Sequence, residues 1–153
     1  MTARERLGGA QERLLGALLE GGAPPEGFDP HRCRCAGESL LRKRMRAASR
    51  GCPALVRALE GGFEALFQEY ARACPLQDGG PRADAYRFQE WLHGSGRLPA
   101  AALPDWLLVR FRFGCSATGL QRKRQSAAFL RRAGGRWWWG VRLPWLGERI
   151  GRL

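Results

Sequence analysis

The sequence predicts an α+β protein in which an N-terminal bundle of about five helices is followed by a small antiparallel β module. Three observations carry this. Up to about residue 95, apolar residues recur at helical spacing between Gly and Pro breaks. Past Pro104 the spacing becomes an alternation, with Leu107, Val109, Phe111 and Phe113 set against Leu108, Arg110 and Arg112. The charge also shifts: residues 106–153 hold 11 Lys and Arg against one acid, Glu148, whereas the 105 residues before them hold 15 against 13. The organisation expected is an N-terminal helix and linker over 1–26, a helical domain over 27–105 and a basic, Trp-rich β module over 106–153.

Residues 3–20 place Leu7, Leu14, Leu15, Leu18 and Leu19 on one side of a helix, which Gly21, Gly22, Pro24 and Pro25 end. Asp29 and Pro30 make an N-cap and first-turn pair for a second helix, with Leu41, Met45 and Ala48 on its apolar side and Gly51 at its end. Pro53 opens a short third helix, stopped by Gly61 and Gly62. Phe63, Leu66, Phe67 and Tyr70 mark a fourth. Leu76 to Pro81 reads as a loop, and Ala85, Phe88, Trp91 and Leu92 fit a fifth helix closing at Gly94. The aromatic residues of the last two helices read as core.

The segment from Leu107 to Phe113 reads as a strand, although a helical start near Ala100 to Trp106 would run into it. Gly114 to Ser126 reads as an exposed basic loop. Ala127 to Arg131, a turn at Gly134 and Gly135, a strand from Arg136 to Leu143, a break at Pro144 and a short strand from Glu148 to Arg152 complete one small sheet.

Composition limits the function classes. The chain has 153 residues, 44% of them hydrophobic, enough for a core. No apolar run approaches the roughly 20 residues of a membrane helix, and Met1 to Glu20 is not patterned as a signal peptide, so a cytoplasmic protein is expected. Five scattered cysteines do not make a secreted disulfide framework, and reduced thiols are expected. No nucleophile elbow, phosphate loop, dinucleotide glycine pattern or carboxylate pair is present, so a non-catalytic protein without a cofactor is expected. His31, Cys33 and Cys35 are zinc-type ligands at a poor spacing. A fourth ligand is missing and Arg32 and Arg34 repel a cation, so no metal site is expected. His93 reads as a helix-end histidine rather than a base.

The net charge of +12 points to an anionic partner. All bases but Lys43 and Lys123 are arginines. A GC-rich genome explains Arg over Lys, but not the near absence of acids from the tail. On the second helix Arg42, Arg46 and Arg50 form an i, i+4, i+8 stripe. Arg122, Lys123 and Arg124 are a second cluster. In the strand from Arg136, Trp137, Trp139, Val141 and Leu143 share one face, and Arg136, Trp138 and Arg142 share the other. If the first set is core, Trp138 lies outside among arginines as an anchor for a ligand or partner. The alternative is that Trp138 packs under the basic loop or against the helices.

The run Gly27-Phe28-Asp29, Leu41, Lys43, Arg44, Arg46, Pro53, Leu55, Leu59, Phe63, Leu66, Phe67, Tyr70, Ala71 and Pro75-Leu76 resembles an uncharacterised family of high-GC bacteria. The likeness continues through Gly79-Gly80-Pro81, Ala83-Asp84, Phe88, Trp91-Leu92 and Leu98-Pro99, and returns at Val141-Arg142-Leu143-Pro144 and Leu146-Gly147. In its helical part that family is similar to the partner proteins of multinuclear non-haem iron-dependent oxidases, which were earlier catalogued as DNA-binding domains. The resemblance implies an accessory protein that docks on such an oxidase and helps deliver a ribosomally made precursor peptide, the iron lying in the partner. It departs from the family pattern in the polar stretch Gly114 to Arg124 and in the bulk of Trp137 to Trp139.

Two functions are therefore expected to compete. In the first, a precursor peptide adds to the tail's sheet edge, with Arg110, Arg112, Arg136, Trp138 and Arg142 contacting it or the partner. In the second, Arg42, Arg46, Arg50, Arg122, Lys123 and Arg124 neutralise nucleic-acid phosphates. A plain interaction module that contacts acidic proteins is a third reading.

Overall fold

The computed structural model describes residues 2–20, 22–116 and 118–153. Six helices precede two small antiparallel sheets, so the α+β class holds. The chain divides into two compact units, Met1–Ala47 with Glu64–Leu76, and Ala48–Phe63 with Gln77–Leu153.

The first unit contains α1 (Ala3–Glu20), most of α2 (Pro30–Ser49) and nearly all of α4 (Phe63–Ala73). Thr2 and Glu5 open α1 as a capping box: the Glu5 N–H donates to Thr2 Oγ1 and the Thr2 N–H donates to Glu5 Oε2. Asp29 caps α2 as its position predicts, Oδ1 accepting from the N–H groups of His31 (2.8 Å) and Arg32 (3.4 Å). Leu7, Leu15 and Leu19 of α1 remain exposed, so only part of the apolar stripe expected there is covered. On α4, Phe67 and Tyr70 are fully buried with ring centroids 5.5 Å apart. The Arg44 guanidinium from α2 lies over both rings, at 5.7 and 5.2 Å, and donates to the Cys74 carbonyl at 3.0 Å. Each ring contact of this kind contributes about 0.5–2 kcal/mol, so one arginine ties α2 to both rings and to the end of α4.

The second unit holds α3 (Pro53–Ala58), α5 (Gly80–Gly94), a 3-10 turn (Ala100–Ala102), α6 (Leu103–Arg112) and all the strands. Leu55, Phe63, Phe88, Leu92 and Trp106 form its core, with Phe63 and Phe88 in edge-to-face contact at 5.4 Å. The helix α5 starts at Gly80, with Pro81 in its first turn, and so takes in the end of what reads as a loop in sequence.

Two larger differences from the sequence reading lie past Pro104. The alternating segment Leu107 to Phe113 is not a strand: Leu103–Arg112 is α6, and the backbone turns extended only at Phe113. Pro104 and Asp105 start this helix, and its period lets Trp106 and Arg110 sit one turn apart against Glu90. A short apolar run of this length satisfies both periods, and tertiary partners decide between them. Residues 114–126 are likewise not one loop, because β1 (Phe113–Ser116) and β2 (Gly119–Arg122) pair as an antiparallel two-stranded sheet. Gly79 and Gly119 pin that sheet to the start of α5. Both have positive φ (108° and 121°), and a Cβ on Gly79 would stand 2.5 Å from Gly119 Cα, so neither position accepts a side chain. Arg87 reinforces the contact by donating to the carbonyls of Asp78 and Ser116.

The second sheet is a meander of β3 (Ala127–Ala133), β4 (Arg136–Leu143) and β5 (Gly147–Arg152), with β4 in the middle. Gly134 and Gly135, with φ of 58° and 76°, make the two-residue turn the sequence signals. The register fixes two faces. Phe129, Gly140 and Ile150 share one with Trp138, Arg142 and Glu148. Leu130, Trp139 and Gly151 share the other with Arg132, Trp137, Val141 and Arg149.

Candidate functional site

The faces of β4 are inverted relative to the sequence reading. Gly140 and Arg142 are buried, whereas Trp137, Val141 and Leu143 are exposed. The inner face is set by its neighbours. The Phe129 ring from β3 lies across Gly140, filling the space a Cβ would take, and meets Phe111 of α6 at 4.9 Å. Arg142 lies beside that aromatic pair, its guanidinium 4.6 Å from the Phe111 centroid. Its Nε donates to the Gln125 carbonyl at 2.8 Å and its Nη1 to the Phe111 carbonyl. The Phe111 carbonyl lies in the last turn of α6 and the Gln125 carbonyl between β2 and β3, so both need donors from outside their elements, which is why an arginine is drawn inward here.

The other residues expected to face a peptide are held in a similar way. Arg110 reaches Glu90 at 3.6 Å and lies over the Trp106 ring at 5.1 Å, while the Trp106 indole donates to Glu90 Oε1 at 2.6 Å. Arg112 donates from Nε to Oε1 of Glu148, a carboxylate only 7% exposed, and Arg122 stands 3.9 Å from its Oε2. Trp138 is half-buried and donates to the Ala133 carbonyl at 3.2 Å, so it packs inward. Arg136 is exposed. The structure thus does not gather these five side chains into one surface, and it engages four of them internally. In the second set Arg42, Arg46, Arg50, Arg122, Lys123 and Arg124 are all exposed, although Arg122 faces Glu148 and Lys123 Nζ donates to the Arg110 carbonyl at 2.9 Å.

Sequence reasoning missed the surface that the register creates on the outer side of the same sheet. Leu130 is 58% exposed and Trp137 47%. Trp139 is half-buried because its indole lies across Gly151, where an added Cβ would come within 2.6 Å of Nε1. Arg132 pairs across the ladder with Trp137, and Arg149 with Val141. Both arginines are exposed. No acid occupies this face among the described residues. The signal was present in the period-two pattern of all three strands, but reading it required the β3–β4 and β4–β5 registers.

The model of the family described as SCO6045-like, C-terminal domain, matches residues 8–94, more than half of the chain. The chain belongs to this family. The SCO6045-like match runs from within α1 to the last residue of α5. A UPF0276 protein of Streptomyces avermitilis is 38% identical over 112 residues, which is 71% of this chain. Those residues are 23% of the relative, so the chain spans about a quarter of its length. Neither description carries a catalytic activity. No solved structure matches.

Within the helices, this SCO6045-like chain has an open groove of about 840 Å3, lined by Leu18, Leu41, Ala71 and Leu76 together with Arg34, Lys43 and Arg72. Glu38 also lines the groove, so its mostly apolar lining carries more cations than acids. The cysteines are five free thiols. Burial, with Asp84 nearby, pushes Cys52 up to about 12, so it stays protonated and unreactive. His31 Nε2 and Cys35 Sγ lie 3.7 Å apart, but no group of three or more His, Cys, Asp or Glu gathers to hold a metal among the described residues. His93 stacks on Trp106 at 3.9 Å. No described helix is long and apolar enough to cross a membrane.

Proposed function

We propose that the protein is a non-catalytic cytoplasmic accessory module that docks on a multinuclear iron-dependent oxidase and helps recognise a ribosomally made precursor peptide. The observation that carries this reading is the match to under a quarter of a longer Streptomyces chain. A module that exists as one segment of a larger protein is the kind of unit that acts beside a partner domain, covalently joined or not. The family name, a C-terminal domain, agrees with such an arrangement. What that partner does comes from the family resemblance. The groove with its cations supplies a docking surface, and the basic tail supplies attraction for an acidic peptide.

The test is nuclease-treated co-purification with the iron oxidase encoded nearest to its gene, in about physiological salt, where screening weakens merely electrostatic contacts. A stoichiometric complex supports the reading, and its absence removes it.

A second reading, nonspecific or regulatory nucleic-acid binding, is favoured by one observation: all six cations of the Arg42–Arg46–Arg50 and Arg122–Lys123–Arg124 sets are exposed. It predicts duplex affinity that falls steeply with salt, with a log–log slope reduced by about one for each phosphate-contacting cation removed.

A further inference from the structure

We infer that the outer face of β3–β4–β5 is the seat of an extended acidic peptide with an acid at i and i+4 and a large apolar residue at i+2. This rests on the peptide-recognition reading above and moves its site from the inner residues to Leu130, Arg132, Trp137, Trp139, Val141 and Arg149.

The two arginines of this face are exposed and have no carboxylate partner among the described residues, and no acid shares the face. Between them lies an apolar strip, Trp137, Trp139 and Val141 on the middle strand with Leu130 beside it. The Trp139 indole lies across Gly151, so the strip continues over β5. Aromatic residues ringed by arginine are the composition of a binding hot spot.

The geometry then specifies the ligand. Arg132 on β3 is level with Trp137 and Arg149 on β5 with Val141, so the two cations flank β4 on opposite sides, roughly 13 Å apart along it at about 3.3 Å per residue and roughly 10 Å apart across it at about 4.8 Å per strand. An extended peptide lying along β4 presents every second side chain to the sheet. Carboxylates that meet both arginines are then four residues apart, and the residue midway between them sits on Trp139.

Other occupants fit less well. A second copy would bring arginines against arginines. Nucleic acid would use the indoles, but Leu130 and Val141 offer no ring for successive bases to stack on.

The experiment uses the full chain and two synthetic probe peptides of equal composition. One is Ser-Glu-Ser-Phe-Ser-Glu-Ser, and the other has the same residues with the glutamates adjacent. Binding is read from the indole N–H resonances in NMR titrations, with a thymidine oligonucleotide as a third probe. The ordered peptide is expected to shift the Trp137 and Trp139 resonances and to bind about tenfold more tightly than the scrambled one. Arg149→Glu and Trp137→Ser are each expected to weaken it by about tenfold or more, and Arg124→Glu, off this face, to leave that tenfold preference for the ordered peptide intact. Equal binding of the two peptides, binding unaffected by Arg149→Glu, or indole shifts with the oligonucleotide alone would overturn the inference. The broader reading fails separately. If Arg149→Glu still retains a precursor peptide that the unaltered chain retains, the face is wrong and the accessory role stands. If the unaltered chain retains neither oxidase nor precursor, the accessory role falls while the probe peptides still decide the face.

Discussion

Replacing Arg142 by alanine separates a structural arginine from a ligand-reading one. Arg142 is 6% exposed and holds two main-chain carbonyls and one ring. A hydrogen bond from a charged group contributes about 1.5–3 kcal/mol and a cation–ring contact about 0.5–2. The losses overlap, because one side chain makes all three, so a cost of about 3–5 kcal/mol is expected. That is a large part of the roughly 5–15 kcal/mol that holds a domain together. In a chain of this size each kcal/mol moves the midpoint by about 2–4 °C, which gives a fall of about 10 °C. The assay is thermal and urea unfolding followed by near-ultraviolet circular dichroism, where the tail's indoles report on the sheet. Arg142→Lys is expected to lose most of the same stability, because one ammonium does not span both carbonyls with the planar fork of a guanidinium. Arg136→Ala, at an exposed position, is the control and is expected to stay within about 0.5 kcal/mol. A melting temperature unchanged in Arg142→Ala would refute the inward assignment and return this residue to the ligand surface.

Other changes test the packing that creates the two faces. Gly140→Val drives a side chain into the Phe129 ring and is expected to cost about 1–3 kcal/mol by urea unfolding, with little effect in α1 or α2 as seen by hydrogen exchange. Gly79→Ala combines a φ of 108° with an approach to Gly119, and a loss of about 2 kcal/mol or more is expected, together with exposure of the β1–β2 amides to exchange. The thiol of Cys52 gives a pH test. Its folded value of about 12 lies above the 9.0 of an exposed thiol, so its contribution is full below about pH 9 and is lost as pH rises toward 12. Urea midpoints measured from pH 8 to 11 are expected to fall less in Cys52→Ala than in the unaltered chain, and parallel curves would contradict the burial of this thiol.

Much of the helical part was legible because its signals are local. Asp29-Pro30, Pro53, Gly61-Gly62 and the Phe63 to Tyr70 spacing each act within a few residues, and the helices start where those residues put them. Gly134-Gly135 marked its turn for the same reason. Thr2 and Glu5 were equally readable as a capping box and went unread. The tail was harder because its decisive partners are distant in sequence. Leu107 to Phe113 satisfies either period, and Glu90, 16 residues before Trp106, favours the helix. The alternation of β4 was correctly seen, but which side faces inward depends on Phe129 and Phe111, and neither can be placed without the register. The five residues first chosen as a peptide surface were selected as arginines beside an indole. Arginine in a core that must satisfy loop carbonyls has that same signature.

The tail spends its one negative charge internally. Glu148 is nearly enclosed, between Arg112 and Arg122, and serves as a strut from β5 to α6 and β2. Past Asp105 in the first turn of α6, the described residues therefore expose no acidic side chain, and an anion approaching the tail meets cations with no acid among them. Capture by such a surface is fast and forgiving of orientation, and it leaves discrimination to the few positions where indole and guanidinium stand together. The same arrangement places the cost of salt on the first encounter, which ions in solution weaken.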